Sequence, residues 1–433
     1  YDDKSFKYGI FRIPRFGRWV VVVHKPEHIQ EIWKASDEIL SFDPAANELF
    51  QSAYNFGENV ISDPYHFTIL RTQLTKNLKD IFPSLHEELT DALNEYIPAR
   101  KNEWLELEGM KTIIPILSRG INRALVGYPL CRDPDWMNLN IRFAIDVVNA
   151  VRVLQLTPQI FKRFASSWLT NTSLHIASGV KRLEPMVAER QRKIGENDSD
   201  RPNDCVTWMM ELKDQEHDAE ELTKRLFDLN GAGLHSTRIT FCHILFHLAE
   251  CPEFANELRM EVETITKQEG WTYIALSKML KIDSFIKESQ RLHAIRCLSL
   301  PRLAQHPFTF SDGTHIPVGT YITAATHVIH TYESNYENPL KFEPFRFLDK
   351  SRKENQTRKT DMTATQIDNL TWGLGPHACP ARFFVANELK LLLALMVVKY
   401  DVRMAKPGPQ PVWIVDECLP DEKARVLFRR REE

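Results

Sequence analysis

A single cysteine, Cys379, lies between two prolines in the stretch GLGPHACPARFF. Pro376 and Pro380 prevent regular structure around it, and Gly373 and Gly375 allow the backbone to turn tightly. A helix-like apolar pattern follows, so the thiol is predicted to lie at a helix N-terminus, where free N–H groups favour negative charge. The pattern therefore indicates a metal ligand or a nucleophile. A cysteine packed under a loop is the plainer alternative.

Two charged side chains, Glu288 and Arg291, share one face of the predicted helix SFIKESQRLHA because they are three residues apart. A second arginine, Arg346, follows in the aromatic, proline-stiffened segment FEPFRF. A carboxylate held by two arginines can be buried without an unpaired charge. The three residues are therefore predicted to fasten the helix to the loop that leads to Cys379. For the first two, an ordinary exposed pair is the alternative.

Small residues interrupt a long apolar pattern in LNGAGLHSTR. Gly231 and Gly233 each cost about 1 kcal/mol relative to alanine within a helix, so they indicate a kink or the close approach of a flat group. His235, Ser236 and Thr237 follow directly and would place polar groups beside that opening. The alternative is tight packing between helices, with Ser236 bonded to its own backbone.

The elements that must position these residues are mainly helical. Apolar residues at three- and four-residue spacing predict helices over most of residues 64–250, and again around Glu288. The opening FRIPRFGRWVVVVHKPEHIQEIW predicts two strands and a helix, and FTFSDGTHIPVGTYITAA predicts strands around a turn at Asp312-Gly313. Because no repeat or long linker divides the chain, residues 1–433 are predicted to form one catalytic domain, mainly α with a small β part.

Composition narrows the class of protein. The 433 residues carry a formal net charge of -3, which gives no reason to expect nucleic-acid binding. Seven scattered cysteines without a CxxC pair are typical of reduced thiols in the cytosol. The sequence contains no run of about 20 apolar residues of the kind that spans a bilayer.

Taken in order, the four motifs resemble those of the cytochrome P-450 monooxygenases. TWGLGPHACPARFF is similar to the haem-binding pattern Phe-x-x-Gly-x-x-x-Cys-x-Gly, with Trp372 for the phenylalanine and Ala381 for the last glycine. ESQR resembles the Glu-x-x-Arg motif, FEPFRF the arginine loop, and AGLHST the Ala-Gly-x-acid-alcohol segment. Phrases such as VGYPLCRDPDW resemble fungal members of secondary metabolism. The likeness extends over essentially the whole chain and implies the P-450 fold, with the long helix over the haem and the cysteine loop beneath.

The resemblance also implies residue roles. Cys379 would be the thiolate ligand of the iron of haem b, a ligand that favours O–O cleavage. Other cofactor contacts would come from propionate partners and from residues around the ring: His377, Arg302, Arg71, Gly375, Trp372 and Gly233. Glu288, Arg291 and Arg346 would be structural.

The residues expected to govern oxygen activation are Ser236, His235 and Thr237. The family commonly has an acid followed by threonine where this chain has His235 and Ser236, and those groups deliver protons. A serine hydroxyl can donate and accept, and histidine titrates near neutrality and could relay a proton. Alternatively, His235 only bonds the backbone or a haem propionate.

The function implied is oxidation of a lipophilic small molecule, a fungal secondary metabolite, with O2 and with electrons from NADPH through a reductase. Apolar substrate walls are predicted in NELFQSAYNFGENVI, FAIDVVNAVRVLQL, the glycine patch and HAIRCLSL. The protein is expected to be a monomer. It is also expected at the cytosolic face of the endoplasmic reticulum membrane, because YDDKSFKYGIF resembles the point where family members leave an N-terminal anchor. Lys390 and Arg382 are predicted to contribute to a basic face for the reductase.

Two alternatives stay open. A haem-thiolate peroxygenase, isomerase or dehydratase would need no reductase, and the histidine at position 235 favours it. A structural metal site at His377 and Cys379, in a helical interaction protein, would need a second pair of ligands, and the sequence offers none at metal-ligand spacing.

Overall fold

The computed structural model describes residues 9–15, 17–169, 171–196, 201–212, 218–354 and 360–432. The N-terminal stretch YDDKSFKY, on which the expected departure from a membrane anchor falls, lies outside the described residues. In the described ranges, no helix is both long and apolar enough to cross a membrane.

Helices dominate the described chain, as the apolar periodicity predicts. In chain order they are α1 (Pro26–Lys34), α2 (Asp43–Phe50), α3 (Ser52–Asn55), α4 (Glu58–Ser62), α5 (Tyr65–Ile69), α6 (Leu78–Tyr96), α7 (Gly109–Leu125), α8 (Pro134–Leu156), α9 (Gln159–Leu169), α10 (Thr172–Gly195), α11 (Cys205–Leu212), α12 (Ala219–Glu250), α13 (Pro252–Glu269), α14 (Tyr273–Lys278), α15 (Leu280–Leu292), α16 (Thr326–His330), α17 (Arg346–Glu354) and α18 (Arg382–Lys399). A π-helical turn spans Leu70–Leu74, and 3-10 turns span Leu130–Arg132 and Gly375–His377.

The strands form small sheets beside the helices. They are β1 (Ile10–Arg15), β2 (Arg18–Val23), β3 (Leu40–Ser41), β4 (Leu105–Glu108), β5 (Ser299–Ala304), β6 (Phe308–Thr309), β7 (His315–Ile316), β8 (Tyr321–Ala324), β9 (Tyr400–Met404), β10 (Val412–Ile414), β11 (Glu417–Leu419) and β12 (Arg425–Arg430). The largest sheet has the order β1-β2-β8-β5-β3, and a second has the order β4-β12-β9. β6 pairs with β7 and β10 pairs with β11, both antiparallel.

The first two strands and the helix after them are confirmed. Residues 20–23 are all buried, because β2 lies inside the sheet between β1 and β8. β2 pairs in parallel with β8, which follows it by almost 300 residues. A continuous valine run suits a strand that is covered on both faces. The turn predicted at Asp312-Gly313 is also present, and it joins β6 to β7 with Gly313 at a φ of +85°.

The long helix α12 runs through the centre of the fold. It has 32 residues, in line with the long apolar pattern around LNGAGLHSTR, and the Asp218 side chain caps its start by accepting from the Glu220 N–H over 2.8 Å. It packs against α7, α8, α10 and α15. The main apolar core surrounds it and extends to α18. The predicted fold class, mainly α with a small β part, is confirmed.

One predicted helix is divided in two. The pattern LSKMLKIDSFIKESQRLH indicates a continuous helix, but the chain breaks at Met279 and α15 begins at Leu280. The Glu261 carboxylate of α13 accepts from the Lys281 N–H over 2.8 Å and from the Ile282 N–H over 3.0 Å. This cap satisfies the first turn of α15 from another helix, so the break is stabilised by a partner that local periodicity does not reveal.

Candidate active site

The loop that carries Cys379 is shaped by its backbone. Gly373 and Gly375 have φ angles of +74° and +62°, which residues with side chains rarely adopt. The Cys379 N–H donates to the Trp372 carbonyl over 2.8 Å. Because α18 begins at Arg382, Cys379 lies directly before a helix N-terminus, where the sequence predicts it.

Gly375 is also constrained by packing. A Cβ atom added there would overlap the indole of Trp33, which belongs to α1. This close approach ties the cysteine loop to the first helix. Any larger residue at position 375 would therefore displace Trp33 or the loop.

The surroundings of the Cys379 thiol act on its charge in opposite directions. Burial raises the pKa of the thiol above its usual value. The backbone N–H groups of Ala381 and Arg382 and the positive charges of Arg382 and Arg71 lower that pKa. The sulfur thus has N–H donors directed at it, as a metal-bound thiolate requires.

A cavity of about 750 Å³ adjoins this loop at Gly373 and His377. Each of the four segments predicted to form substrate walls contributes to its lining. Representative lining residues are Phe56, Val147, Gly231 and Ala294. The sequence prediction of these walls agrees with the structure, which brings all four segments to one cavity.

Three donor side chains, Arg302, His377 and Arg71, also line this cavity. Arg302 is only 3% exposed, and its Nη1 donates to the Pro301 carbonyl over 2.8 Å. Burial lowers the pKa of its guanidinium. In the described part of the chain, no carboxylate lies within ion-pair distance of Arg302. A buried arginine of this kind needs an anion.

His377 and Arg71 differ from Arg302 in their surroundings. His377 Nε2 lies 2.8 Å from Asp37 Oδ2, and its ring stacks on Phe42 with centroids 4.5 Å apart. Arg71 is exposed and lies on the π-helical turn. A group with carboxylates at its edge, such as haem, would satisfy both the buried Arg302 and the exposed Arg71. The residues present therefore fit a haem beside Cys379.

Two further predicted cofactor contacts have different positions. Trp372 is partly buried, and its Nε1 donates to the Met362 carbonyl over 2.6 Å. A Cβ atom on Gly233 would lie 3.7 Å from Ile121 Cδ1 of α7, whereas Gly231 and Ala232 line the cavity. The predicted haem contact of Gly233 therefore rests on the resemblance alone.

The polar residues of α12 are held by their own helix and by neighbouring charges. The Ser236 hydroxyl donates to the Ala232 carbonyl over 2.8 Å, and the buried Thr237 hydroxyl donates to the Gly233 carbonyl over 2.6 Å. His235 and Ser236 line the cavity. The back-bonding that is the plainer alternative for Ser236 is thus present. A role in proton delivery requires each hydroxyl to turn away from its carbonyl.

The structure brings Glu288, Arg291 and Arg346 together. Arg291 donates twice to the Glu288 carboxylate, with both distances 2.8 Å, and Arg346 Nε donates to Glu288 Oε1 over 3.0 Å. Glu288 and Arg291 are 0% exposed. The Glu343 N–H adds a fourth donor over 3.1 Å. The buried carboxylate connects α15 to the start of α17.

The prediction that Lys390 faces a partner protein is wrong. Lys390 is only 7% exposed, and its Nζ lies 2.8 Å from Asp283 Oδ1 of α15. The ion pair allows the ammonium to be buried within the packing of α18. This position cannot contribute to a basic docking face.

Sequence reasoning missed a charged cluster on the cavity wall. Arg152, Arg296, Asp416 and Glu417 line the cavity beside His235. Asp416 lies in the turn between β10 and β11 and Glu417 begins β11, directly after the apolar segment WIV. Two adjacent acids after an apolar segment are the local signal that could have found the cluster. The partners come from distant parts of the chain, so spacing does not indicate their contact.

A second sulfur-bearing group lies away from the cysteine loop. His243, His293 and Cys418 have potential ligand atoms within 4.8 Å of one another. The imidazole rings of His243 and His293 are stacked, with centroids 4.3 Å apart and planes 7° apart. Ring lone pairs that lie in parallel planes do not converge on one ion. Burial, followed by the neighbouring Cys297, raises the pKa of the Cys418 thiol to about 12.

The family model of cytochrome P450 matches residues 4–419. The chain belongs to the cytochrome P450 family. Cytochrome P450 monooxygenase 151 of Postia placenta is 35% identical over 434 residues, which cover 98% of this chain and 87% of the relative. Ent-kaurene oxidase P450-4 of Gibberella fujikuroi is 29% identical, over 99% of this chain and 86% of the relative. Cytochrome P450 monooxygenase olcJ of Penicillium canescens is 30% identical, over 99% and 82%.

Membership of this family establishes the class of enzyme. This cytochrome P450 is a monooxygenase, and the cytochrome P450 family binds haem iron. The sequence resemblance to fungal members is confirmed by the relatives. A helical interaction protein with a structural metal site is excluded by the same match.

Proposed function

We propose that this P450 holds haem b through Cys379 and oxidises a lipophilic small molecule, a fungal secondary metabolite, with O2 and with NADPH-derived electrons delivered by a reductase. The observation that carries the proposal is the pairing of Cys379, at the head of α18, with a cavity lined by Arg302 and His377. The thiolate-ligated haem supplies the oxidation chemistry when bound.

Cys379 is favoured over Cys418 as the iron ligand on physical grounds. The N–H groups of Ala381 and Arg382 and two arginine charges stabilise negative charge on the Cys379 sulfur. Cys418 is 0% exposed, and among the described residues no positive charge offsets the burial that raises its pKa. A thiolate would therefore form more readily at Cys379.

The chain's own residues have distinct tasks in the proposed reaction. Arg302, Arg71 and His377 would bind the propionates, which supplies the acid partner that buried Arg302 needs. The apolar walls would orient the substrate and exclude water. Ser236 would hold a proton on its hydroxyl and release it towards the cavity, with Thr237 and His235 as neighbours.

The cavity suits a compact, mostly apolar substrate. Its volume of about 750 Å³ is within the range of small-molecule sites, roughly 300–1,000 Å³. One relative is named an ent-kaurene oxidase. A terpenoid or aromatic metabolite is therefore the proposed substrate class.

The setting of the reaction belongs to the same proposal. We place the enzyme, as one catalytic domain and a monomer, on the cytosolic face of the endoplasmic reticulum. Members of the cytochrome P450 family usually work with a reductase, so a membrane-bound NADPH-cytochrome reductase is the proposed partner. Fusion of the full-length protein to a fluorescent protein tests the location, and a diffuse cytosolic signal contradicts it.

The ligand assignment is tested with two matched serine variants. The reduced carbon monoxide adduct of the parent should show the red-shifted Soret band of thiolate ligation. Cys379→Ser should lose that band, and Cys418→Ser should keep it. The opposite result would transfer the ligand role to Cys418. The absence of the band from all three proteins would remove the haem proposal.

The oxidation itself is tested with the parent enzyme, a fungal NADPH-cytochrome reductase and extracts of the source organism. Product that forms only with O2, NADPH and reductase supports monooxygenation. Product that forms with hydrogen peroxide alone, or with no oxidant, supports instead the peroxygenase or the isomerase and dehydratase alternatives.

A further inference from the structure

The charged cluster on the cavity wall draws on several separate elements. We call it the Arg152 cluster. Five of its members line the cavity, namely Arg152, His235, Arg296, Asp416 and Glu417. Arg15 and Arg238 belong to it through their contacts with Asp416 and His235. β1, α8, α12, the segment after α15 and the β10–β11 hairpin each contribute to it. A charged assembly of this size, apart from the Arg302, Arg71 and His377 group, needs an explanation beyond packing, because buried charges cost free energy unless they are paired.

Asp416 is fully engaged within the cluster. Arg296 donates from Nε to Oδ2 over 3.1 Å and from Nη2 to both carboxylate oxygens over 2.8 and 2.9 Å. Arg15 Nη2 lies 3.3 Å from Oδ1. The Asp416 side chain is 6% exposed. This pair therefore holds the hairpin in place and has little capacity for a ligand.

Glu417 has three partners. Arg296 Nη1 donates to its Oε1 over 3.1 Å, His235 Nε2 lies 3.5 Å from the same oxygen, and Arg152 Nη2 lies 3.4 Å from Oε2. Burial would raise the pKa of Glu417, but a hydrogen bond with His235 and the charges of Arg296 and Arg152 outweigh burial and lower it to about 2. Glu417 is thus a fixed anion that does not depend on Arg152 alone.

His235 has a charged neighbour near each ring nitrogen. Arg238 Nη2 lies 3.3 Å from Nδ1, and because a guanidinium only donates, Nδ1 is the acceptor and Nε2 carries the proton towards Glu417. The cluster has four arginines and two carboxylates, which give it a formal charge of +2 before His235 is counted.

Arg152 is the member of the cluster that keeps hydrogen-bond donors available for a ligand. Its side chain is 37% exposed, the highest value among the members that form ion pairs in the cluster. Within the described ranges, its Nε and Nη1 have no hydrogen-bond partner. It lies on α8 next to Val148 and Val151, which line the same cavity. A guanidinium beside apolar walls matches a ligand with an apolar body and an anionic end.

We propose that Arg152 binds a carboxylate of the substrate, so that this P450 acts on an amphipathic organic acid. The inference rests on the proposed function and narrows its substrate class. Arg152 can give a carboxylate two parallel N–H donors while Glu417 keeps Arg296 and His235. The excess positive charge of the cluster favours an acid over an alcohol, and it disfavours an amine.

The test uses one carbon skeleton with four end groups: dodecanoate, dodecan-1-ol, methyl dodecanoate and dodecylamine. Their dissociation constants are measured on the haem-loaded enzyme from the optical difference spectrum, and by calorimetry as a check. Dodecanoate should bind the parent about 10- to 100-fold more tightly than the alcohol, the range expected for a charged hydrogen bond.

The variants are Arg152→Gln, Arg152→Lys and, as the matched control, Arg142→Gln on the exposed face of the same helix. Arg152→Gln should bind acid and alcohol alike. Arg152→Lys should keep part of the preference, and Arg142→Gln should keep all of it. If Arg152→Gln does not take up haem, the parent and Arg152→Lys decide the question.

Three results would overturn the inference. The first is an acid-to-alcohol ratio near one in the parent, and the second is the same ratio in the parent and Arg152→Gln. The third is tighter binding of dodecylamine without the optical change of nitrogen ligation to the iron, which would point to Glu417 instead. The carbon monoxide band of the same samples reports on the haem proposal separately, so failure of one proposal is distinguishable from failure of the other.

Discussion

The substitution Glu288→Gln tests whether the buried carboxylate holds the fold. The parent carboxylate accepts from Arg291 twice, from Arg346 and from the Glu343 N–H. Glutamine keeps the shape but removes the negative charge, and its amide N–H groups would face the donors of Arg291. Two guanidinium groups would then remain buried, with 0% and 9% of their side chains exposed.

The expected magnitude follows from what Arg291 and Arg346 retain. Breaking a buried ion pair by removing one partner costs about 3–5 kcal/mol. Arg291 still donates to the carbonyls of His330 and Pro339, both over 2.6 Å. These acceptors offset part of the loss, so about 3 kcal/mol is expected. At 1.36 kcal/mol per tenfold change, the ratio of folded to unfolded protein should fall roughly 150-fold.

The assay is urea unfolding followed by far-ultraviolet circular dichroism, together with the haem content of purified protein. The matched control is Glu196→Gln, which removes an exposed pair: Glu196 lies 2.6 Å from Arg192, with side-chain exposures of 56% and 59%. The control should change stability by less than about 1 kcal/mol. Glu288→Gln should lower the midpoint strongly and give little haem-loaded protein.

A Glu288→Gln protein with the midpoint and haem content of the control would refute this reasoning. Such a result would mean that the arginines find enough carbonyl acceptors without the carboxylate. The double variant Glu288→Gln with Arg346→Gln separates the two contributions, because a smaller loss than in the single variant would identify the stranded Arg346 charge as the cause.

Three further outcomes are expected. Gly375→Ala should reduce haem retention, because its φ of +62° and the overlap with Trp33 both oppose a side chain; normal haem content would show that the loop adjusts. Since the pKa of Glu417 falls from 4.5 to about 2 on folding, its stabilisation is complete above pH 4.5 and is lost as the pH falls towards 2. Acid unfolding of Glu417→Gln should therefore be less steep there, and an unchanged profile would contradict the assignment. Ser236→Ala should keep the thiolate band but lower the product per NADPH and release more peroxide; unchanged coupling would direct attention to Thr237.

The sequence predicts well what depends on neighbouring residues. The turn at Gly373 and Gly375 needs only local backbone freedom, and the pairing of Glu288 with Arg291 needs only helical spacing. The length of α12 also follows from its periodicity. Arg346 is 58 residues from Glu288, and its pairing with the same carboxylate is predicted from the aromatic, proline-stiffened segment FEPFRF together with the family resemblance.

Other features depend on partners far away in the chain. The break at Met279 requires the Glu261 cap from another helix, and the burial of Lys390 requires Asp283 from α15. His235 meets Glu417 only because the β10–β11 hairpin folds back against α12. Local pattern carries no signal for such pairs, because only the complete packing decides which charges meet.

Within the Arg152 cluster, Arg296 is bonded much more extensively than Arg152. This difference bears on which of the two positions can change first during evolution. Arg296 and Asp416 share three hydrogen bonds of 3.1, 2.8 and 2.9 Å. Mutation of one of these residues would leave the charge of the other without its main partner, so the two positions are expected to change together. Arg152 has a single long contact and a well-exposed side chain, and its loss strands no buried charge. With Arg152 in the proposed role of carboxylate site, new substrate preferences can arise by single mutations at position 152, while the hairpin anchor stays constant.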